Sequence, residues 1–100
     1  MTGIEKMVVV RIQGHVQGVG FRAFVQREAE RLGVRGWVRN RRNGDVEAFF
    51  AGRIQAVDTL IAESRRGPDS AHVTNFVAHE PTPDQSADLP SAGFRLLPTI

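Results

Sequence analysis

The sequence contains no cysteine and no tyrosine, and a single lysine, Lys6, among its 100 residues. The lack of cysteine excludes disulfide frameworks, thiolate zinc sites, iron–sulfur clusters and thiol nucleophiles together. Long hydrophobic runs are also missing. Apolar stretches such as Met7–Val10 fall far short of the roughly 20 residues a membrane-spanning helix needs, which argues against a membrane partner. Gly3, Glu5, Lys6 and Arg11 break up the apolar region a signal peptide requires, so the expected setting is the cytoplasm. A charge excess of one sign is absent as well. Thirteen basic residues face eleven acidic ones, for a net charge of +2. The sequence pI of 10.4 reflects twelve arginines and the lack of tyrosine and cysteine more than a strongly positive surface. Nucleic-acid binders ordinarily show a larger basic excess or a basic stripe. Here the bases are spread, with one local cluster at Arg39, Arg41 and Arg42, so a small anion is the expected partner and a nucleic acid is not.

What is present is ordinary globular composition, 41% hydrophobic and 24% charged. One hundred residues bound one core, so residues 1–100 read as a single domain that folds as a monomer. Met7–Gln13 is a β-branched run with the character of a largely buried strand. Phe21, Val25, Ala29 and Leu32 line one face of a helix, and Gly33 stops it. Val34–Asn40 alternates as a strand, with Val34, Gly36 and Val38 on one side and Trp37 on the other. Asn43-Gly44 signals a tight hairpin, with Val46–Ala51 as the returning strand. Arg53–Arg65 is a second helix with Ile54, Val57, Leu60 and Ile61 inward, ended by Gly67-Pro68. His72–Glu80 reads as a strand with Val73, Asn75 and Val77 on one side and Phe76 and Ala78 on the other. Pro81–Gly93 reads as a surface connection, and a short strand around Phe94–Leu97 closes the chain. The order βαββαβ predicts an α+β, ferredoxin-like split βαβ sandwich, with two helices on one face of an antiparallel sheet.

The chemistry concentrates in Gly14–Gly20, three glycines in seven residues between a strand and a helix. Such a loop can curl so that successive N–H groups converge on an anion. The following helix adds unpaired N–H groups and the positive end of its dipole. Arg22 then stands where a guanidinium can grip the same anion with two bonds. The glycine spacing fits neither a Walker A loop nor a dinucleotide fingerprint. On spacing alone, an anion cradle and a plain glycine-rich connection with a surface arginine remain equally open.

The residues themselves decide further. Ile12-Gln13-Gly14-His15-Val16-Gln17-Gly18-Val19-Gly20-Phe21-Arg22 resembles the first signature of the acylphosphatase family. Gly36-Trp37-Val38-Arg39-Asn40, continuing through Gly44, Val46 and Gly52, resembles the second. The two stand in the right order and separation, and the similarity covers nearly the whole chain. The resemblance implies hydrolysis of the carboxyl–phosphate bond of a small-molecule acyl phosphate to a carboxylate and inorganic phosphate, with no metal and no cofactor. It places Arg22 as the phosphate-binding arginine and Asn40 as the water-orienting asparagine. The backbone of His15, Val16, Gln17, Gly18, Val19 and Gly20 corresponds to the phosphate cradle. Three departures are visible: Asn43-Gly44 where Asp-Gly is frequent, Ala23 where many relatives carry a larger residue, and Arg41 where some carry a small hydroxyl residue.

The physical chemistry agrees with those roles. A carboxylate is a good leaving group, so positioning and charge stabilisation matter more than a strong general acid. Asn40 is neutral and offers both an acceptor and donors, which suits it to aligning a water. The alternative within the same family is a non-catalytic module that binds phosphate or carbamoyl phosphate. An RNA-binding sheet would need exposed aromatics, and Phe49 and Phe50 are adjacent, so only one of them can face outward. His15, His72 and His79 read as solvent or turn residues, His15 with scope to tune anion binding. The odd separation of His72 and His79 on one strand points them to opposite faces. Trp37 reads as packing, and Glu28, Glu47 and Glu63 as solvated positions.

Overall fold

A computed structural model describes residues 5–100; residues 1–4 of the N-terminal stretch lie outside the described residues. The β-branched run forms β1 (Glu5–His15), with Val8, Val9, Val10 and Ile12 buried and Met7 exposed. The apolar stripe at Phe21, Val25 and Ala29 forms α1 (Phe21–Leu32), which ends at Gly33 in the left-handed conformation. Next come β2 (Arg35–Asn40) and β3 (Val46–Arg53), then α2 (Ile54–Arg66) and β4 (His72–His79). A short helix, α3 (Pro83–Ala87), and β5 (Phe94–Leu96) complete the order. The sheet runs β4-β1-β3-β2-β5. All neighbours are antiparallel except β2 and β5, which are parallel.

Period-two alternation divides the strand side chains between two cores. On one face Val8, Val10, Ile12, Val38, Val46, Ala48 and Phe50 pack against Phe21, Val25 and Ala29 of α1 and Val57 and Leu60 of α2. On the other, Val9, Trp37, Phe49 and Ala51 are buried beneath Leu89 and Leu97. Trp37 and Phe49 meet edge to face with ring centroids 6.0 Å apart. Both Phe49 and Phe50 are therefore fully buried, one in each core, where adjacency on a one-sided sheet would have left one exposed.

That second core corrects the expectation of a plain surface connection after β4. Pro81–Gly93 contains α3, opened by a capping box: the Thr82 hydroxyl accepts from the Gln85 backbone N–H, and the Gln85 side chain accepts from the Thr82 N–H. The helix is tied to the sheet by Trp37, whose Nε1 donates to the Gln85 carbonyl at 3.4 Å. Three smaller expectations also change. Ile54, at the first position of α2, is exposed rather than inward. The register of β1 against β4 shifts between Gln13 and Gly14, so Val73 and Phe76 both pack on the helix-side core. The same irregularity places His72, opposite His15, and His79, opposite Val9, on one face of β4 instead of two.

If the second face is a true core, Phe49→Ala will destabilise the protein by about 3–5 kcal/mol in urea unfolding, with Trp37 emission shifted to the red. A loss below about 1 kcal/mol would show that Leu89 and Leu97 only drape over the sheet.

Candidate active site

The position of the site follows from strand direction. β3 runs antiparallel to both β1 and β2, so β1 and β2 run the same way with β3 between them. Val46 at the start of β3 pairs with Ile12 on one side and Asn40 on the other. The loop leaving β1 and the last residue of β2 therefore emerge at one end of the sheet.

The loop 16–20 is held there by its own side chains. Val16 is buried in the helix-side core and Val19 packs against it. Gly18 and Gly20 take φ values of 75° and 79°, a region that β-carbon-bearing residues adopt at a cost. Gly20 is the N-cap of α1 and its carbonyl accepts the first helical bond, from Phe24 N–H at 3.0 Å. Glycine supplies no capping side chain and the first turn carries no acidic residue, so the N–H groups of Phe21, Arg22 and Ala23, which have no helical partner, are left for an anion.

Arg22 and Asn40, 18 residues apart in sequence, line one cavity of about 180 Å³ together with Val16, Gln17, Gly18, Gly20, Phe21, Ala23 and Leu96. Of the residues singled out from sequence, His15 and Val19 are not among those lining it. His15 ends β1 as an exposed residue, and Val19 turns toward the core. Leu96 was missed; it reaches the cavity because β5 lies parallel beside β2, a pairing that no local pattern announces.

The hairpin carrying Asn40 is a wider turn than the Asn-Gly pair suggested. Arg41 N–H donates to the Asp45 carbonyl at 2.8 Å and Gly44 N–H to the Arg41 carbonyl at 3.1 Å. Only Gly44 has positive φ, and Asn43 Oδ1 accepts from Asp45 N–H at 3.0 Å. A type I′ turn needs positive φ at both central residues, so a three-residue connection forms instead. Arg41 does not line the cavity; its guanidinium is 3.1 Å from Glu47.

Glu47 is the largest departure from the sequence reading. It is only 2% exposed, held by Arg39 Nε at 2.8 Å, Arg41 Nη1 at 3.1 Å and Gln85 Nε2 at 2.8 Å. Arg39 also lies over the Trp37 ring, 4.6 Å from its centroid. Burial pushes the Glu47 pKa up, but the hydrogen bonds from Arg39 and Gln85 and the two positive charges outweigh it, and the net shift is down. The arginines on either side of Asn40 are thus both fastened to one carboxylate. The signal in sequence was alternation: Glu47 lies opposite Arg11 on β1 and Arg39 on β2, on the face whose covering helix was not foreseen.

Arg11, Arg31, Arg35, Arg39, Arg41 and Arg66 each pair with a carboxylate. Arg22 is in no such pair among the described residues, nor are Arg27, Arg42, Arg53, Arg65 and Arg95, but of these only Arg22 lines the cavity. A larger cavity, about 480 Å³, opens at the opposite end of the sheet. Its wall mixes Glu5 and Glu30 with Arg35 and Arg53, and Arg35 is already 3.2 Å from Glu5, so its charge pattern selects no anion. Among the described residues no group of three or more histidine, aspartate or glutamate side chains is placed to hold a metal ion.

Comparison with known proteins matches the acylphosphatase family model to residues 8–95. The chain belongs to the acylphosphatase family. It is 52% identical over 93 residues to an acylphosphatase of Rhodopseudomonas palustris strain BisB18, covering 91% of this chain and 93% of that one. An acylphosphatase of Nitrobacter hamburgensis is 46% identical over 102 residues, with both chains covered in full. The fold superposes on the crystal structure of acylphosphatase from Bacillus subtilis with a TM-score of 0.80 at 30% identity, over 94% of this chain and 99% of that chain. The family's α+β architecture, with two long helices on one face of the sheet, is the one described above.

Because the Glu47 pKa is lowered by folding, its contribution to stability is complete above the ordinary value of 4.5 and is lost as pH falls through the depressed value. Glu47→Gln will cost about 3 kcal/mol at pH 7. The gap between the two proteins in thermal unfolding will narrow as pH drops below 4.5, and a gap that holds constant through the acid range would contradict the ion-pair account.

Proposed function

We propose that this cavity hydrolyses acyl phosphates, with Arg22 and the loop backbone holding the phosphoryl group and Asn40 aligning the attacking water. The observation that carries the reading is the convergence of Arg22, the helix N-terminus and Asn40 on one small cavity. The backbone N–H groups around Gly18, Gly20 and α1 supply a fixed array of donors, and Arg22 adds a charge that no carboxylate competes for. Such donors act most strongly where charge builds up on the equatorial oxygens during transfer. Asn40 faces the phosphoryl group from the end of β2, across β3 from the loop's own strand, and keeps a water in line with the bond to be broken. Water adds to phosphorus as the bond to the carboxylate oxygen breaks. The electron pair leaves with the carboxylate, and both hydrogens of the water stay with the phosphate. Ala23 and Leu96 give the cavity an apolar wall for the acyl group.

In this reading residues 1–100 act as one domain and as a single copy in the cytoplasm, and the mechanism calls on no cofactor. The two relatives named above, matched over 93% and 100% of their length, carry the name acylphosphatase.

The protein will hydrolyse benzoyl phosphate in excess EDTA. Arg22→Ala will lower kcat/KM by about 10³-fold and abolish competitive inhibition by inorganic phosphate. Asn40→Ala will lower kcat by about 10²-fold or more while inhibition by phosphate persists. Full turnover in Arg22→Ala would refute the assignment, and tight phosphate binding without turnover in the unmodified protein would favour the binding module.

A further inference from the structure

We infer that the side chain of Gln17 is a positioning residue, a tie that sets the distance between the phosphate cradle and Asn40, and not a phosphate ligand. The inference rests on the roles just given to Arg22, the loop and Asn40. The Gln17 carboxamide nitrogen has two hydrogens, and both are committed: to the Arg41 carbonyl at 2.7 Å and to the Asp45 carbonyl at 2.8 Å. Both lie at the short end of the range for N–H···O bonds. With a carbonyl oxygen on each side, only the NH₂ end of the amide can stand there, so the contacts themselves fix its orientation.

The two acceptors are the mouth of the hairpin turn. The Arg41 carbonyl already accepts from Gly44 N–H and the Asp45 carbonyl from Arg41 N–H, and each has a second lone pair for Gln17. The tie thus fastens the middle of the loop to the residue directly after Asn40, across 24 positions of sequence. Nothing of the Gln17 amide nitrogen is left for an anion, so the loop offers the phosphoryl group its backbone. Its side chains serve as anchors: Val16 and Val19 to the core, Gln17 to the turn. In-line attack is sensitive to sub-ångström placement of water against phosphorus, so loosening this tie strikes turnover before it strikes binding.

Gln17→Met keeps the length of the side chain and removes both donors. With benzoyl phosphate its kcat will fall about 30-fold while the inhibition constant of inorganic phosphate stays within about twofold of the unmodified protein. A parallel rise in KM and in the phosphate inhibition constant at unchanged kcat would instead make Gln17 a phosphate ligand and overturn the inference; so would an unchanged kcat. Gln17→Glu provides a second readout that does not depend on the first variant folding. At neutral pH its carboxylate opposes two carbonyl oxygens, and protonation at lower pH restores one donor. Its kcat relative to the unmodified protein will therefore rise as pH falls, and a ratio independent of pH would contradict the tie. If the unmodified chain fails to turn over benzoyl phosphate, the underlying functional reading fails; if it turns over and Gln17→Met matches it, only the tie fails.

Discussion

Val46 pairs with Ile12 and Asn40 at once, and the architecture of the site depends on that double pairing. It keeps β1 and β2 parallel but two strand spacings apart, about 10 Å. A loop leaving β1 must then cross the start of β3 to face Asn40. The chain bridges the gap with anchors: apolar ones at Val16 and Val19, which use the helix-side core, and a polar one at Gln17, which uses the turn. Gly18 and Gly20 supply the left-handed conformations that let the backbone curl between those anchors and start α1. The cradle is a consequence of closing this distance with few residues.

Charge is arranged around the same frame. An arginine-rich chain that binds a small anion must keep its other guanidinium groups from competing. Here the sheet does this locally, with Arg11 on Asp45, and Arg39 and Arg41 on Glu47. These pairs are partly or largely buried, and removing one partner would strand the other in a poor environment. The two pairs to Glu47 clamp Arg39 and Arg41, the residues on either side of Asn40. The short helix α3 takes part through Gln85, whose side chain bonds both Glu47 and the Thr82 N–H. Stability on the covered face of the sheet and order at the end of β2 are therefore linked through one glutamate.

Much of this was legible in the sequence, and the failures have identifiable causes. Elements with strong periodicity, such as the stripe Phe21, Val25 and Ala29, fall where the pattern put them. The two motifs carrying Arg22 and Asn40 were visible because glycine spacing and a residue-by-residue family resemblance agree. The covered second face was not visible, although Thr82-Pro83-Asp84-Gln85 is a capping-box pattern, because a five-residue helix has no amphipathic period to detect. Glu47 was misjudged for the same reason: its burial depends on that cover and on two arginines from other parts of the hairpin. The faces of β4 were misassigned because a register irregularity breaks strict alternation without leaving a mark in residue type. The Gln17 tie is a tertiary contact with backbone carbonyls, which no side-chain pattern encodes.

The most direct test of the account is a crystal structure of the protein soaked with inorganic phosphate. The account predicts phosphate in the cavity of Val16–Ala23, accepting from loop and α1 N–H groups and from Arg22, with Asn40 on the opposite wall and Gln17 still bonded to the Arg41 and Asp45 carbonyls. Phosphate held instead between Arg35 and Arg53 at the other end of the sheet, with the loop cavity empty, would contradict it.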